Sequence, residues 1–535
     1  MKAPTLSLSM RWHLFIPASL LLVATALFKE VKQVLTTGFS APSLSLYALI
    51  AAIVVAGLPI KRSAIPRALQ ILLYGSCAIL IFSSAFSPTA VFDDRTSAGL
   101  PILSTTNIPS AALILGFASY FRPSLLFPTI LIFAAQKHFV SAQTGIHISS
   151  TDWYIVFETA LFTYIIIGIS GIWSVACRFS SMLDHETTVK SIRTSFEFCV
   201  YILLAAHFGN YFYSGIGKLG LDPFSVMNTS NALQWIANNP THDLILNAYY
   251  LGLQPFQFSK TIVLTLFDFS QHTVILMNTL VVAMQIAALG AVVSRGASRM
   301  LTALFDLQHV TIFLFTGIFF WKWIILNILF IYALSRVEYR RIDPILGTFL
   351  FATVLLSPFV FSIAHLAWFD TPAVNRIGIS AVSDEGEHQV PTNFFRPASV
   401  SFAQQRVGRP LVGGYPTGTY GNFYNGHAVA ELWRCESKEF HPPQLSIQAL
   451  TQLSAFLKKY HNHVLNADAW TNYYYDLYPH HIFSALGTYE DFRTLDKRNI
   501  KYYNVTVESA CITRTPSGIS IDVRGKTSYA VHVTE

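Results

Sequence analysis

The sequence predicts an all-α polytopic membrane protein of about eleven spans or re-entrant helices, followed by a C-terminal extracytoplasmic α+β domain. Three observations lead there. Only 12% of the 535 residues are charged, whereas soluble domains carry about 25%. Largely apolar stretches of membrane-spanning length recur through positions 1–369 and stop there. Residues 370–535 carry 15 basic and 15 acidic side chains, so the formal net charge of +7 sits in the first 369. The two predicted domains are therefore 1–369, in the membrane, and 370–535, outside it. A basic excess in a membrane region sets orientation, and no lysine-rich tail points to nucleic acid.

Taken in order, the candidate spans are 12–28, 44–60, 68–87, 108–120, 124–138, 153–174, 196–217, 272–293, 302–318, 323–335 and 345–367. The first follows Lys2 and Arg11 and has no clear small-x-small cleavage site after it, so it reads as a retained span. The pairs 108–120 with 124–138 and 302–318 with 323–335 are short, and either is a candidate re-entrant hairpin. Basic residues follow the second, sixth, eighth and tenth spans: Lys61, Arg62 and Arg67; Arg178, Lys190 and Arg193; Arg295 and Arg299; Arg336, Arg340 and Arg341. With eleven spans these loops share one side, which the positive-inside rule makes cytoplasmic. The N-terminus is then cytoplasmic, and 219–260 is an outer loop whose apolar residues suggest short interfacial helices.

The tail has a different pattern. Residues 378–395 read as strand, turn, strand, with Asp384, Glu385 and Gly386 in the turn. Residues 406–426 are rich in Gly, Pro and Tyr and read as loop, 442–460 have helical spacing, and 501–525 alternate as antiparallel strands do. Of five cysteines, Cys77, Cys177 and Cys199 lie in or beside spans, where a buried structural thiol is the default. Cys435 and Cys511 lie in the tail and can pair if that side is oxidising.

The helix ending in YFYSGIGKL (211–219) carries an unusual stripe. His207, Tyr211, Ser214 and Lys218, spaced 4, 3 and 4, fall within about 60° of one another on a helix, with Asn210 flanking them. Gly209, Gly215 and Gly217 permit close approach of a neighbour. A polar stripe facing lipid is costly, so it should face protein or a wet cavity, where a partly desolvated lysine can act as a base. The structural alternative is a lysine that snorkels to the headgroups above a tyrosine belt. A phosphate loop is excluded, because Phe212 stands where its first glycine belongs and Leu219 where Ser or Thr belongs.

YFYSGIGKLGLDPF (211–224) resembles the signature of the horizontally transferred transmembrane (HTTM) domain family, whose known enzyme is the vitamin K-dependent gamma-carboxylase. FDLQHVTIFLFTGIFFWKWIILN (305–327) is similar to a later segment of that family, and KHFVSAQTGIH (137–147) is a weaker third match; together the resemblance covers residues 10–335. It implies that Lys218 is the base that deprotonates reduced vitamin K or another quinol, and that His138 is the supporting histidine. Tyr211 and His207 would relay or donate protons. Ser214, Asp306, His309 and Trp321 would lie at the cofactor, and a protein or peptide substrate would meet the outer domain. The tail, at 166 residues (370–535), is much shorter than the carboxylase's lumenal portion, so the resemblance carries the lipid-soluble cofactor further than glutamate carboxylation.

Other constellations carry less. Asp306, Gln308 and His309 open one span and Trp321, Lys322, Trp323 and Asn327 follow it, either as a site or as a cap with an aromatic belt. Glu158, Asp268, His272 and Gln285 are further intramembrane polar groups that could pair with Lys218. His461, His463, His480 and His481, with Asp468 and Asp476, match no zinc spacing, and no metal is expected. Asn228-Thr229-Ser230 and Asn504-Val505-Thr506 are glycosylation sequons on the expected outer side. The alternative function is a non-enzymatic transporter or an assembly factor with an outer recognition domain. A transporter calls for related halves or paired broken helices, and no such symmetry is seen.

Overall fold

The computed structural model describes residues 8–37, 61–85, 114–130, 151–180, 185–229, 231–256, 258–337, 342, 344–392, 394–395, 402, 411–437, 440–465 and 489–533. His138, the predicted span 44–60 and the whole of 466–488, with Asp468, Asp476, His480 and His481, lie outside them.

The chain is mostly helical, with an antiparallel sheet at its C-terminal end. Among the described residues the helices include α1 (Leu8–Thr37), α2 (Arg67–Ala85), α3 (Thr151–Ser180), α4 (His185–Lys218), α5 (Gln234–Asn238), α6 (Asp243–Leu251), α7 (Lys260–Ala291), α8 (Arg295–Thr316), α9 (Trp321–Arg336) and α10 (Pro344–Val360). Among the described residues, two are long and apolar enough to cross a membrane, over Tyr154–Cys177 and Lys260–Ala291, and Arg67–Phe82 and Leu346–Val360 are shorter apolar helices. The predicted pair 108–120 and 124–138 is seen as far as residue 130, as short helical pieces around a tight turn at Pro123–Leu125.

Local chemistry sets several ends. Ser259 caps α7 by accepting from Ile262 N at 3.3 Å, and Ser294 caps α8 by accepting from Ala297 N at 3.4 Å. Gly317, at φ 73°, closes α8 in the left-handed conformation that suits glycine. Near the end of α10, Pro358 brings no N–H for the carbonyl of Val354, and the Ser357 hydroxyl donates to that carbonyl instead, at 2.7 Å. The helix stops at Val360, and residues 361–370 continue without helical structure. The predicted span 345–367 is therefore a helix followed by an unwound segment.

α4 is the axis of the assembly. It packs against α1, α3, α7 and α10, and its residues 196–213 are almost wholly buried in the main apolar core. In the tail, β1 (Ala373–Ser383), β2 (Gly386–Gln389), β5 (Tyr502–Thr515) and β6 (Gly518–His532) form one antiparallel sheet in the order β2-β1-β5-β6. A short two-stranded ribbon joins β3 (Leu411–Val412) to β4 (Gln444–Leu445). The described residues of the tail also form helices α11 (Val429–Trp433), α12 (Ile447–Leu465) and α13 (Glu490–Thr494), with α12 covering the sheet through Leu453, Phe456, Leu457 and Tyr460. Cys435 and Cys511 form a disulfide.

The tail is fastened to the helices. Arg514 holds Asp268 of α7 through both carboxylate oxygens, at 3.1 and 3.2 Å, and Tyr250 Oη donates to Glu508 at 2.8 Å. Asn247 of α6 donates to the carbonyls of Thr371 and Tyr420 at 2.9 and 2.7 Å.

Candidate functional site

The predicted stripe on α4 is divided between two neighbourhoods. Ser214 and Lys218 serve the unwound segment 361–370, and His207 and Tyr211 join a polar cluster with α8 and α9.

The segment's backbone groups need partners, because its own chain supplies no helical ladder. Side chains of other elements provide them. Glu158 of α3 accepts from Ser362 N at 2.9 and 3.0 Å, and Lys32 of α1 pairs with Glu158 at 2.8 Å while donating to Val360 O at 3.0 Å. Asn210 Oδ1 accepts from Ala364 N at 2.8 Å. Ser214 Oγ lies 3.1 Å from both Ala364 O and Leu366 N. Lys218 Nζ donates to Leu366 O at 2.8 Å, and to Ser214 O and Gln285 Oε1 at 3.2 Å each. It also stands over the Trp235 ring, 5.3 Å from the centroid.

Lys218 is 8% exposed, so it points into protein and not to headgroups. Close approach makes this possible: a Cβ on Gly217 would stand 2.7 Å from Ala367 Cβ, and one on Gly215 2.8 Å from Gln285 Cβ. Beyond Lys218, His365 Nδ1 meets Asp222 Oδ2 at 2.6 Å.

At the end of the segment lies a carboxylate that the sequence reading passed over. Asp370 is 2% exposed. Asn239 Nδ2 donates to its Oδ2 at 2.6 Å and Trp368 Nε1 to its Oδ1 at 3.0 Å, while Asp370 N donates to Asn239 Oδ1 at 2.7 Å. Trp235 Nε1 donates to Trp368 O at 2.6 Å, and Trp433 Nε1 to Asp370 O at 3.0 Å. Burial pushes the Asp370 carboxyl up to about 6, opposed by the Asn239 and Trp368 donors and by the Lys218 charge. Burial also raises Asp243 well above the usual carboxylate range, and the nearby Asp370 adds to that.

The second neighbourhood centres on Asn327 of α9. Its Oδ1 lies 2.6 Å from His207 Nε2, and its Nδ2 donates to Tyr211 Oη at 3.1 Å and to Asp306 Oδ1 at 2.7 Å. Both amide hydrogens are used, so His207 must donate from Nε2, which makes Nδ1 the bare acceptor. That atom is buried with no hydrogen-bond partner among the described residues. Aromatic rings wall the cluster: Tyr211 stacks on Phe305 with centroids 3.6 Å apart, and His207 stacks on Phe330 at 5.4 Å. His309 approaches the rings of Tyr211 and Trp323 at 5.9 and 5.5 Å.

The structure thus brings His207, Tyr211, Asp306 and His309 together, with Asn327 as their hub, and places Ser214 with Lys218 at the segment. Trp321 turns elsewhere, edge-on to Phe82 at 5.7 Å with Lys322 over its ring. In the tail, His461 is buried beside Tyr503 Oη at 3.3 Å. Among the described residues, no three His, Cys, Asp or Glu side chains are grouped as a metal site. A cleft between α6 and β1, lined by Leu251, Leu253, Arg376, Ile379, Val390 and Phe402, lies in the tail.

No family model, curated protein or solved structure matches this chain.

Proposed function

We propose that the chain is a multi-pass integral membrane protein of the HTTM type, and a carboxylase-like enzyme that uses Lys218 as a base on a lipid-soluble quinol such as reduced vitamin K. A belt of exposed apolar side chains supports the membrane placement: Phe269, Leu276, Met300, Leu307, Ile328 and Phe359 are each more than half exposed on α7 to α10. The Cys435–Cys511 pair supports an oxidising, extracytoplasmic side for the tail.

The observation that carries the catalytic reading is the burial of Lys218 among carbonyl oxygens and a tryptophan at the end of a membrane-length helix. The residues at Lys218 suit a quinol in kind, since the Trp235 indole beside the amine offers an aromatic face. The quinol, when bound, supplies an acidic hydroxyl near the membrane boundary. Lys218 accepts its proton at Nζ, for which one of the three present acceptors must give way. Gln285 is the side chain among them and is the one free to turn. His207 and Tyr211 lie two to three turns along α4 from Lys218 and take no direct part in this transfer, and a protein or peptide substrate meets the tail.

A second reading is favoured by a specific observation. Three acceptors match the three hydrogens of an ammonium, so Lys218 can equally be a lock on the unwound segment of a non-enzymatic transporter or assembly factor. The full chain in lipid nanodiscs, supplied with reduced vitamin K or menaquinol, separates the two. The enzyme reading expects quinol-dependent oxygen uptake that Lys218→Met abolishes while the protein remains folded. Uptake that persists in folded Lys218→Met overturns it.

A further inference from the structure

We propose that Asp370 is a positioning residue for Lys218, a fixed counter-charge that holds the lysine's ammonium in its cage of oxygens. The inference rests on Lys218 being the working amine, and it adds the group that governs the amine's charge.

Lys218's direct partners at Nζ are all neutral: Ser214 O, Gln285 Oε1 and Leu366 O. A cation buried among neutral acceptors still calls for an opposite charge within a few ångströms to offset its lost hydration. The charged and titratable groups around it come from three sides, and a fourth is neutral. From the loop after α4 comes Asp222, whose carboxylate is taken by His365 at 2.6 Å and by Phe224 N at 2.9 Å. From the unwound segment come His365 itself and Asp370. From α6 and its N-terminal side come Asp243 and His242, which lie 3.8 Å from each other. From α7 comes Gln285, which is neutral. Of these, Asp370 is the one that shares the Trp235 and Trp368 indoles with the lysine.

Its carboxylate is held in place on both oxygens, by Asn239 and by Trp368, and neither donor carries a charge. The same tryptophans tie it to the lysine: Trp235, under the ammonium, donates to Trp368 O, and Trp368 donates to Asp370. Both groups are buried, Lys218 at 8% exposure and Asp370 at 2%, and attraction between buried opposite charges is stronger than in water. Asp370 also begins the tail, with Trp433 on its carbonyl oxygen, so the counter-charge belongs to the tail's own attachment to the helices.

The full chain in nanodiscs tests this through a cycle of Lys218→Met, Asp370→Asn and the double variant, read as melting temperature. Each single change leaves one buried charge alone, so the double variant is expected to melt no lower than the worse single one. Additive losses overturn the proposal. If Asp370→Asn fails to accumulate, recovery in the double variant supports it and failure of both overturns it. Trace acylation at pH 7, read by mass spectrometry, supplies a second measurement. Asp370→Asn should speed labelling of Lys218 relative to Lys260 and Lys526, because the amine loses the charge that favours its protonated form. Asp370→Glu, which keeps the charge, should label as the parent does. Equal acceleration in both variants would mean simple loosening and overturns the proposal. Loss of quinol dependence and loss of this coupling are separate results: persistent uptake in Lys218→Met sinks the base, and an additive cycle sinks Asp370.

Discussion

Asn327→Leu is the sharpest probe of the cluster between α4, α8 and α9. The leucine is close in volume and removes three hydrogen bonds at once, to His207, Tyr211 and Asp306. Interhelical hydrogen bonds in membranes average about 0.6 kcal/mol, and buried ones in soluble proteins contribute about 1. Three together give a loss of about 2–3 kcal/mol, and more if Asp306 keeps a charge with no donor. Adding Asp306→Leu removes that stranded acceptor. The double variant should therefore lose less than the sum of the two singles, because replacing both partners by apolar groups avoids the unsatisfied group. The assay is reversible unfolding in mixed micelles, with the midpoint and slope of each variant compared. A parent-like midpoint for Asn327→Leu, or strictly additive losses, would refute the view of Asn327 as the hub of a satisfied network.

Four further outcomes are expected. Gly217→Val should cost about 1–3 kcal/mol by overpacking against Ala367 and should lower the melting temperature, because the Cβ alone would stand 2.7 Å from Ala367 Cβ. Glu158→Gln should cost about 1–3 kcal/mol by removing the charge from the carboxylate that holds Ser362 N and the half-buried Lys32, read in the same unfolding assay, whereas Lys32→Met with Glu158→Gln should cost less than the sum. Replacing Cys435 and Cys511 by serine opens a loop with a sequence separation of 76. It should cost about 4 kcal/mol on the chain-entropy scale, and reductant should then cease to affect the melting temperature. Asp370 binds its proton more tightly folded, at about 6, than at the ordinary 3.8. The stability this contributes is full below pH 3.8 and is lost as pH rises through about 6, a change of up to about 3 kcal/mol; Asp370→Asn should flatten that part of the stability profile.

The helical nature of the chain, the strand-turn-strand around Asp384 and the paired strands at the end were legible because they rest on periodicity and turn residues. The polar stripe on α4 was legible for the same reason, at spacings of 4, 3 and 4. Its division was not. A helix projection places His207 and Lys218 on one face, but they are three turns apart and meet different neighbours. The unwound segment was hidden because residues 345–367 read as one apolar run, and a backbone that lacks partners leaves no mark in residue type. The clues lay in other elements: Asn210, Ser214 and Glu158 are polar where an ordinary span is not. Asp370 was passed over because a carboxylate just after a span reads as solvated, and its burial depends on Asn239, Trp235 and Trp433 from distant positions as well as on the neighbouring Trp368.

The cage of Lys218 also imposes an order on biosynthesis. Leu366, which accepts one of the lysine's hydrogens, lies 148 residues later in the chain, and Ala364, which uses Asn210, lies 154 residues later. On the proposed membrane placement, α4 enters the bilayer before its asparagine, serine and lysine have any of these partners, and polar groups in that position are costly. At translation rates of about 5–20 residues per second, the wait is on the order of ten seconds. The newly made helix therefore needs shelter for that interval, from an insertion factor or from its earlier neighbours. A chain interrupted before residue 361 would display an open polar stripe, a distinctive mark by which membrane quality control could recognise an unfinished copy.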